Sequence, residues 1–293
     1  METLRAKRKE MEIVSGYHGK ISSKPSMEFK HNLCLWCDLL GFGKELFENQ
    51  FVLNEELRIK YYNRLSTAHN EFLRRTAPLT ESNLVLNDGL VKVSTIDLNE
   101  HPDIFGFFLR NCIETHIYIK EAEIKSGFPG PRSVITFGQS MKYFHSEVKF
   151  DDYVSNYSKK NSSKLSNIAI RTGNPTVVYN PEPFQMNMAF SKAFILDQLG
   201  SEFNISGSNI YLDSSVIDFM KFISKKKNIK FVKSENNGIE TIYLDKGENH
   251  VYFGFELSNK NIIRYNGWNT YTYKLHSFYP PDEPINEFKY EIK

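Results

Sequence analysis

The chain has 293 residues, 40% hydrophobic and 14% aromatic, which is enough apolar matter for a sizeable core and excludes the disordered class. Its 37 basic and 35 acidic residues leave a formal charge of +2, so no overall field draws it to nucleic acid or anionic lipid. No apolar run approaches the ~20 residues of a bilayer span, and METLRAKRKEMEIV has cations but no apolar h-region; a soluble, cytoplasmic protein is expected.

Residues 1–27 read as a polar arm interrupted by Gly16, Gly19 and Pro25. NLCLWCD (32–38) is strand-like. Its Cys34 and Cys37 point to opposite faces, so this CxxC reads as structural rather than zinc-binding, and three cysteines without framework spacing suit a reducing compartment. The stretch from there to about Arg75 carries Leu46, Leu53, Leu57, Tyr61 and Leu65 at helical spacing, enough for two helices. NLVLNDGLVKVSTI (83–96) holds two β-type runs around Asn87-Asp88-Gly89, a strong hairpin signal. A helix over 104–124 and a strand over 132–139 follow. Strand, helices, hairpin, helix, strand is the order of a ferredoxin-like α+β core, a mostly antiparallel sheet with helices packed on it.

Residues 146–173 read as a polar loop and TVVY (176–179) as a strand. MNMAFSKAFILDQL (186–199) is a helix closed by Gly200, NIYLD (209–213) a strand, and SSVIDFMKFISKKK a helix opened by serines and closed by lysines. IKFVK (229–233) and IETIYLD (239–245) flank a SENNG turn, and VYFGFEL (251–257) is a further strand. The expected organisation is an N-terminal arm 1–27, a main domain 28–257 and a C-terminal extension 258–293, an arm that packs on a neighbour.

A strand that ends on a bare carboxylate, Asp38, needs an explanation, because a buried acid is costly unless it is neutralised. In the expected topology Asp88 of the hairpin stands beside it. Two carboxylates at one point, completed by waters and substrate phosphates, suit a hard divalent cation such as Mg²⁺. On spacing alone the alternative stays open that Asp38 caps a helix and Asp88 serves a turn. The eight histidines are scattered without ligand spacing.

Read together, Asp-Leu-Leu-Gly-Phe (38–42) and the later hairpin Asp88 resemble the class III nucleotidyl cyclases. In that family the first strand ends in Asp-Ile-x-Gly-Phe and the hairpin carries Gly-Asp, with Asn87 here in place of the glycine. Arg132 to Gly138, Tyr179-Asn180 through Asn187-Met188-Ala189, NIYLDSSVIDFM and Lys246-Gly247 before VYFGF extend the likeness in order over residues 31–257. The opening Asp-Leu-Leu-Gly-Phe on a lone catalytic domain is most similar to the pyrimidine cyclases of Pycsar, a bacterial anti-phage signalling system.

The resemblance implies that residues 28–257 cyclise a nucleoside triphosphate to a 3′,5′-cyclic nucleotide and pyrophosphate, for a separately encoded effector and with no nucleic-acid partner. It implies a homodimer with composite active sites, in which Asp38, Asp88 and the Leu39 carbonyl hold two Mg²⁺ or Mn²⁺ ions, with Phe42 and Gly43 beside the substrate. Asn187 would orient the ribose and Lys246 of the second copy would meet the triphosphate. Three departures matter. The family's transition-state arginine falls on Ser191, next to Lys192, which substitutes only if the helix register slips. The adenine-reading Lys and Asp fall on Leu84 and Asn180, which implies UTP or CTP in place of ATP. The rival readings are a catalytically degenerate cyclase-like module that binds nucleotide or dimerises, and a palm-type polymerase or diguanylate cyclase, whose Gly-Gly-Asp-Glu-Phe turn is absent here.

Overall fold

The alternation of NLCLWCD becomes β1 (Glu28–Leu39), the strand around which the sheet is laid. In this computed structural model, which describes residues 28–76, 81–142, 182–184, 186–281, 283–285 and 289–292, β1 sends Leu33, Leu35, Cys37 and Leu39 to one buried cluster and Cys34 and Trp36 to another. The three cysteines are free and buried. After β1 come α1 (Phe42–Glu48), α2 (Glu55–Arg74), the hairpin of β2 (Ser82–Leu86) and β3 (Gly89–Ile96), α3 (Pro102–Lys125) and β4 (Pro131–Lys142). A 3₁₀ turn at Glu182–Phe184 precedes α4 (Met188–Leu199), β5 (Ile210–Asp213) and α5 (Ser214–Lys227). The remaining strands are β6 (Lys230–Asn236), β7 (Ile239–Gly247), β8 (His250–Tyr265), β9 (Trp268–Tyr279) and the short β10 (Tyr290–Glu291).

The first four strands stand in the order 2-3-1-4, with α1 and α2 between β1 and β2 and α3 between β3 and β4. This is the expected ferredoxin-like arrangement. β3 runs antiparallel to β1, with Asp38 opposite Gly89. β4 runs back along the other edge of β1: Leu40 N donates to Gly130 O (3.1 Å) at one end, and Asn32 Nδ2 to Ser140 Oγ (2.7 Å) at the other. Beyond β4 the same sheet continues as β5-β9-β8-β7-β6, with β10 on β9.

Helices cover both faces. α2, α3 and α5 bury Ala68, Phe72, Leu109, Ile113, Phe219 and Met220 on one side; α4 lays Ala189, Ala193 and Leu196 against Trp36, Val91 and Val134 on the other. Each large apolar side chain so buried contributes roughly 1.5–3 kcal/mol. The α4 backbone reaches the sheet only because residue 138 is glycine: a Cβ there would lie 2.6 Å from Ala189 N. Apart from the ends of β1 and β4 and the first residue of the 3₁₀ turn, the described residues form one compact unit, 30–140 with 183–293.

Three expectations change. Residues 258–279, read as part of an extension, complete β8 and form β9, an interior strand between β5 and β8. The cap of α5 is Asp213, whose side chain accepts from Ser215 N, and not the serines after it. The SENNG turn shrinks to Asn237-Gly238, both at positive φ (51° and 76°), so β6 and β7 reach further toward each other. The segments 1–27, 146–173 and 176–179 lie outside the described residues.

Candidate active site

At the end of β1 the chain must turn while its last polar side chain, Asp38, stays half-buried on the face that carries Trp36 and α4. The turn is held at several points. Leu39 N donates to Asp88 O (3.2 Å), Leu40 N to Gly130 O, and Arg64 Nη2 reaches from α2 to Leu40 O (2.8 Å). Gly41 then takes φ 71°, a left-handed conformation that glycine accepts without strain, and α1 begins at Phe42. Phe42 is buried with its ring edge-on to Tyr61 (4.8 Å), whose hydroxyl donates to Phe42 O (2.8 Å). Gly43 follows in the first turn of α1.

The hairpin brings the second carboxylate to the same place. Leu86 pairs with Gly89, leaving Asn87-Asp88 as a two-residue loop, and Asn87 takes φ 56°. Asparagine tolerates that conformation, so its replacement of the family's glycine is physically accommodated. Gly89 has a different duty: a Cβ there would lie 2.7 Å from Trp36 Cη2. The two acids therefore sit across one strand pair at the same end of the sheet.

Their electrostatics are those of an uncompensated site. Burial, and then the negative charges of Asp197 and Asp88, push the Asp38 carboxyl from its ordinary 3.8 up to about 7, against the opposing pull of Arg132 and Arg64. Asp197, on the inner face of α4, is fully buried; its Oδ1 accepts from Arg132 Nε (2.5 Å), and its Oδ2 has no hydrogen-bond partner among the described residues. Sequence reasoning missed Asp197. The available signal was a lone acid on an otherwise apolar helical face, opposite the arginine that opens the β4 motif. No group of three or more His, Cys, Asp and Glu side chains that could hold a metal occurs among the described residues. What is present is a pair of carboxylates beside the Leu39 backbone, one of them repelled by its surroundings, and that donor chemistry fits a hard divalent cation.

The other candidate residues lie elsewhere in the chain. Asn187 caps α4: Oδ1 accepts from Phe190 N (3.0 Å), Nδ2 donates to Pro183 O (2.8 Å), and the residue is 1% exposed. It bridges Ser140, which in turn bonds Asn32, six residues before Asp38 and hence about 20 Å away along the strand. Ser191 donates to Asn187 O (3.0 Å), and Lys192 pairs with Asp213 (3.2 Å). Lys246, at the end of β7, donates to Asp103 Oδ2 (2.9 Å) and lies 5.4 Å from the Tyr252 ring, with β4, β5, β9 and β8 between its strand and β1. Leu84 on β2 packs against the Trp36 and Val91 cluster. Asn180 lies outside the described residues. One chain thus unites Asp38, Leu39 and Asp88 with Phe42 and Gly43, keeps Asn187 and Lys246 apart from them, and turns Lys192 to Asp213.

No family model matches the chain, and no curated protein does. Among solved structures it is similar to the guanylyl cyclase Cya2, at 10% identity over 89% of this chain and 97% of that one, with a TM-score of 0.46. It is also similar to the monomeric guanylyl cyclase domain of the RhoGC fusion protein from the aquatic fungus Blastocladiella emersonii (10% identity, 84% and 96% covered, TM-score 0.43). A third likeness is to the adenylyl cyclase CyaB from P. aeruginosa (11% identity, 85% and 95% covered, TM-score 0.34). Identities and scores this low carry no functional argument.

Proposed function

We propose that the protein is a metal-dependent nucleotidyl cyclase, forming a 3′,5′-cyclic nucleotide and pyrophosphate from a nucleoside triphosphate. The observation that carries this reading is the meeting of Asp38 and Asp88 at one end of the sheet, with the Asp38 carboxyl held up near 7. A solvated turn needs no such pair.

Asp38, Asp88 and the Leu39 carbonyl would hold Mg²⁺ or Mn²⁺. Bound there, the ions supply charge neutralisation for the triphosphate and acidify the ribose 3′-hydroxyl. The protein's own part is positional. Arg64 and Gly130 fix the Leu39–Gly41 turn, so the carbonyl and the Asp38 carboxylate keep their relative places when the site fills. Its own surroundings disfavour the ionised form of Asp38, and a divalent cation held there would favour it.

Asn187, at the far end of β1 and β4, and Lys246, on β7 with four strands between it and β1, are too far from Asp38 to act on the same substrate in one chain, which favours composite sites in a homodimer. In such a site Lys246 of the second copy meets the triphosphate as a point charge. Leu84 and Asn180 stand where a Lys and an Asp would read adenine, and an amide can pair with either pyrimidine, so UTP or CTP is the expected substrate. A role in anti-phage signalling follows from the same resemblance. A second reading, a cyclase-like module that binds nucleotide without turnover, is favoured by two observations: both side-chain ends of Asn187 are satisfied internally, and Lys192 is paired with Asp213.

The experiment is incubation of the purified chain with each of ATP, GTP, CTP and UTP plus Mn²⁺, followed by chromatographic separation of products. A cyclic pyrimidine nucleotide is expected. A cyclic purine nucleotide would refute the base assignment, and no cyclic product under any condition would leave the binding module.

A further inference from the structure

Arg132 stands where it could neutralise Asp38, and its charge goes elsewhere. β4 runs antiparallel along β1, and Leu40 N donates to Gly130 O across them. Two residues along each strand from that bond, Arg132 comes beside Asp38 on the face that α4 covers, as Val134 comes beside Trp36 in one cluster. Opposite residues on one face of a strand pair have Cβ atoms roughly 4.5–5.5 Å apart, so the Arg132 stem starts next to the Asp38 carboxylate. Its guanidinium leaves the sheet for α4 and the residues after it. Nε donates to Asp197 Oδ1 (2.5 Å), Nη2 to Asp197 O (3.0 Å) and Nη1 to Ile205 O (3.4 Å), so all three nitrogens are engaged there.

Asp197 is fully buried, and its Oδ2 takes no hydrogen-bond partner among the described residues. As a device for stability alone such a pair is poor, because two charges are desolvated and one oxygen is left unmet. What the pair changes is the charge at the end of β1. The cations that act on Asp38 are Arg132 and Arg64, against the negative charges of Asp197 and Asp88. Arg64 is committed to Glu123 and Leu40 O, and Arg132 to Asp197. Asp38 is therefore left without an ion pair among the described residues.

We propose that Asp197 is a positioning residue: by holding Arg132 on α4 it withholds that cation from Asp38 and keeps the carboxylate open to a divalent ion. The hold rests on the hydrogen bonds and the strand register; its consequence for the ion rests on the reading of Asp38 and Asp88 as cation ligands. Without the Asp197 charge, Arg132 turns to Asp38 across the strand pair. A guanidinium there competes with any ion for the same two oxygens.

The test uses the full chain and the isosteric Asp197→Asn, alone and combined with Asp38→Asn or with Arg132→Gln. In chelating buffer at pH 8, Asp38→Asn should raise the Tm of wild type but lower that of Asp197→Asn by about 2 °C or more, since there it removes the new partner of Arg132. Calorimetry should show Mn²⁺ bound at least about tenfold more weakly by Asp197→Asn than by wild type. Adding Arg132→Gln should bring the affinity back to within about threefold of wild type. A role confined to packing α4 would leave the sign of the Asp38→Asn effect unchanged and would not be reversed by the loss of Arg132. The same sign of that effect in both backgrounds, Mn²⁺ affinity in Asp197→Asn equal to wild type, or no recovery with Arg132→Gln would each overturn the inference. So would an Asp197→Asn chain that does not fold, because Arg132 has a replacement partner in Asp38. If wild type binds no Mn²⁺, the cation reading fails, and the two Tm differences still decide whether Asp197 withholds Arg132.

Discussion

Replacing Asp38 by Asn should stabilise the metal-free protein. The Asp38 carboxyl stands near 7 when folded against an ordinary 3.8, and at roughly 1.4 kcal/mol per pKa unit the ionised form is disfavoured by a ceiling of about 4 kcal/mol. Asp38 is only half-buried, so solvent screening reduces the expected gain to about 1–2 kcal/mol. The sign follows from linkage. A folded carboxyl that keeps its proton longer than the unfolded one makes stability fall as pH rises from about 4 to about 7 and level off above. Urea melts in a chelating buffer should therefore show Asp38→Asn more stable than wild type at pH 8, with the difference shrinking toward pH 5. Mn²⁺ should reverse the order: at a hundred times its dissociation constant a cation bound only to the folded state adds about 2.7 kcal/mol to wild type, and the variant should gain far less. A variant less stable at pH 8 in chelator, or a gain that does not shrink on acidification, would refute the reasoning.

Gly89→Ala should cost about 1–3 kcal/mol through overpacking, because the Trp36 ring its Cβ would meet is itself held edge-on by Phe194 (5.0 Å); thermal melts measure the loss, and a Tm equal to wild type would contradict it. Asn187→Ala removes the cap of α4 and should cost about 1–2 kcal/mol, read by urea melts, whereas an unchanged midpoint would show that another group caps the helix. If sites are composite, mixing inactive Asp38→Ala with inactive Lys246→Ala chains should restore about a quarter of wild-type activity once subunits exchange at random; none returning after demonstrated exchange would exclude that arrangement.

The half of the fold that positions the site was legible because its signals are local. Apolar alternation marked β1, the Asn-Asp-Gly tract marked the hairpin, and helical spacing marked α1 to α3; their order alone predicts 2-3-1-4. β9 was not legible. Its Thr270 and Thr272 are buried while Tyr271 between them is exposed, so polarity and burial run in opposite phase, and its long partner β8 ends in the exposed Ile262 and Tyr265. At the site, Asp38 and Asp88 could be paired from topology, since hairpin and first strand are neighbours in such a core. Asp197 and Arg64 could not, because each acts on Asp38 or its turn from a helix whose facing partner is fixed only by tertiary packing. The distance between Asn187 and Asp38 is likewise a product of how α4 lies along the sheet, its N-terminus beside Ser140.

Asp38 and Asp88 are proposed to make a nucleotide-cyclising site together. The most direct test is the rate of cyclic nucleotide formation in Mn²⁺ by wild type, Asp38→Ala and Asp88→Ala, each shown to be folded by its thermal melt. Wild type should form a cyclic product and neither variant should; undiminished product from a folded variant lacking either carboxylate would rule the paired site out.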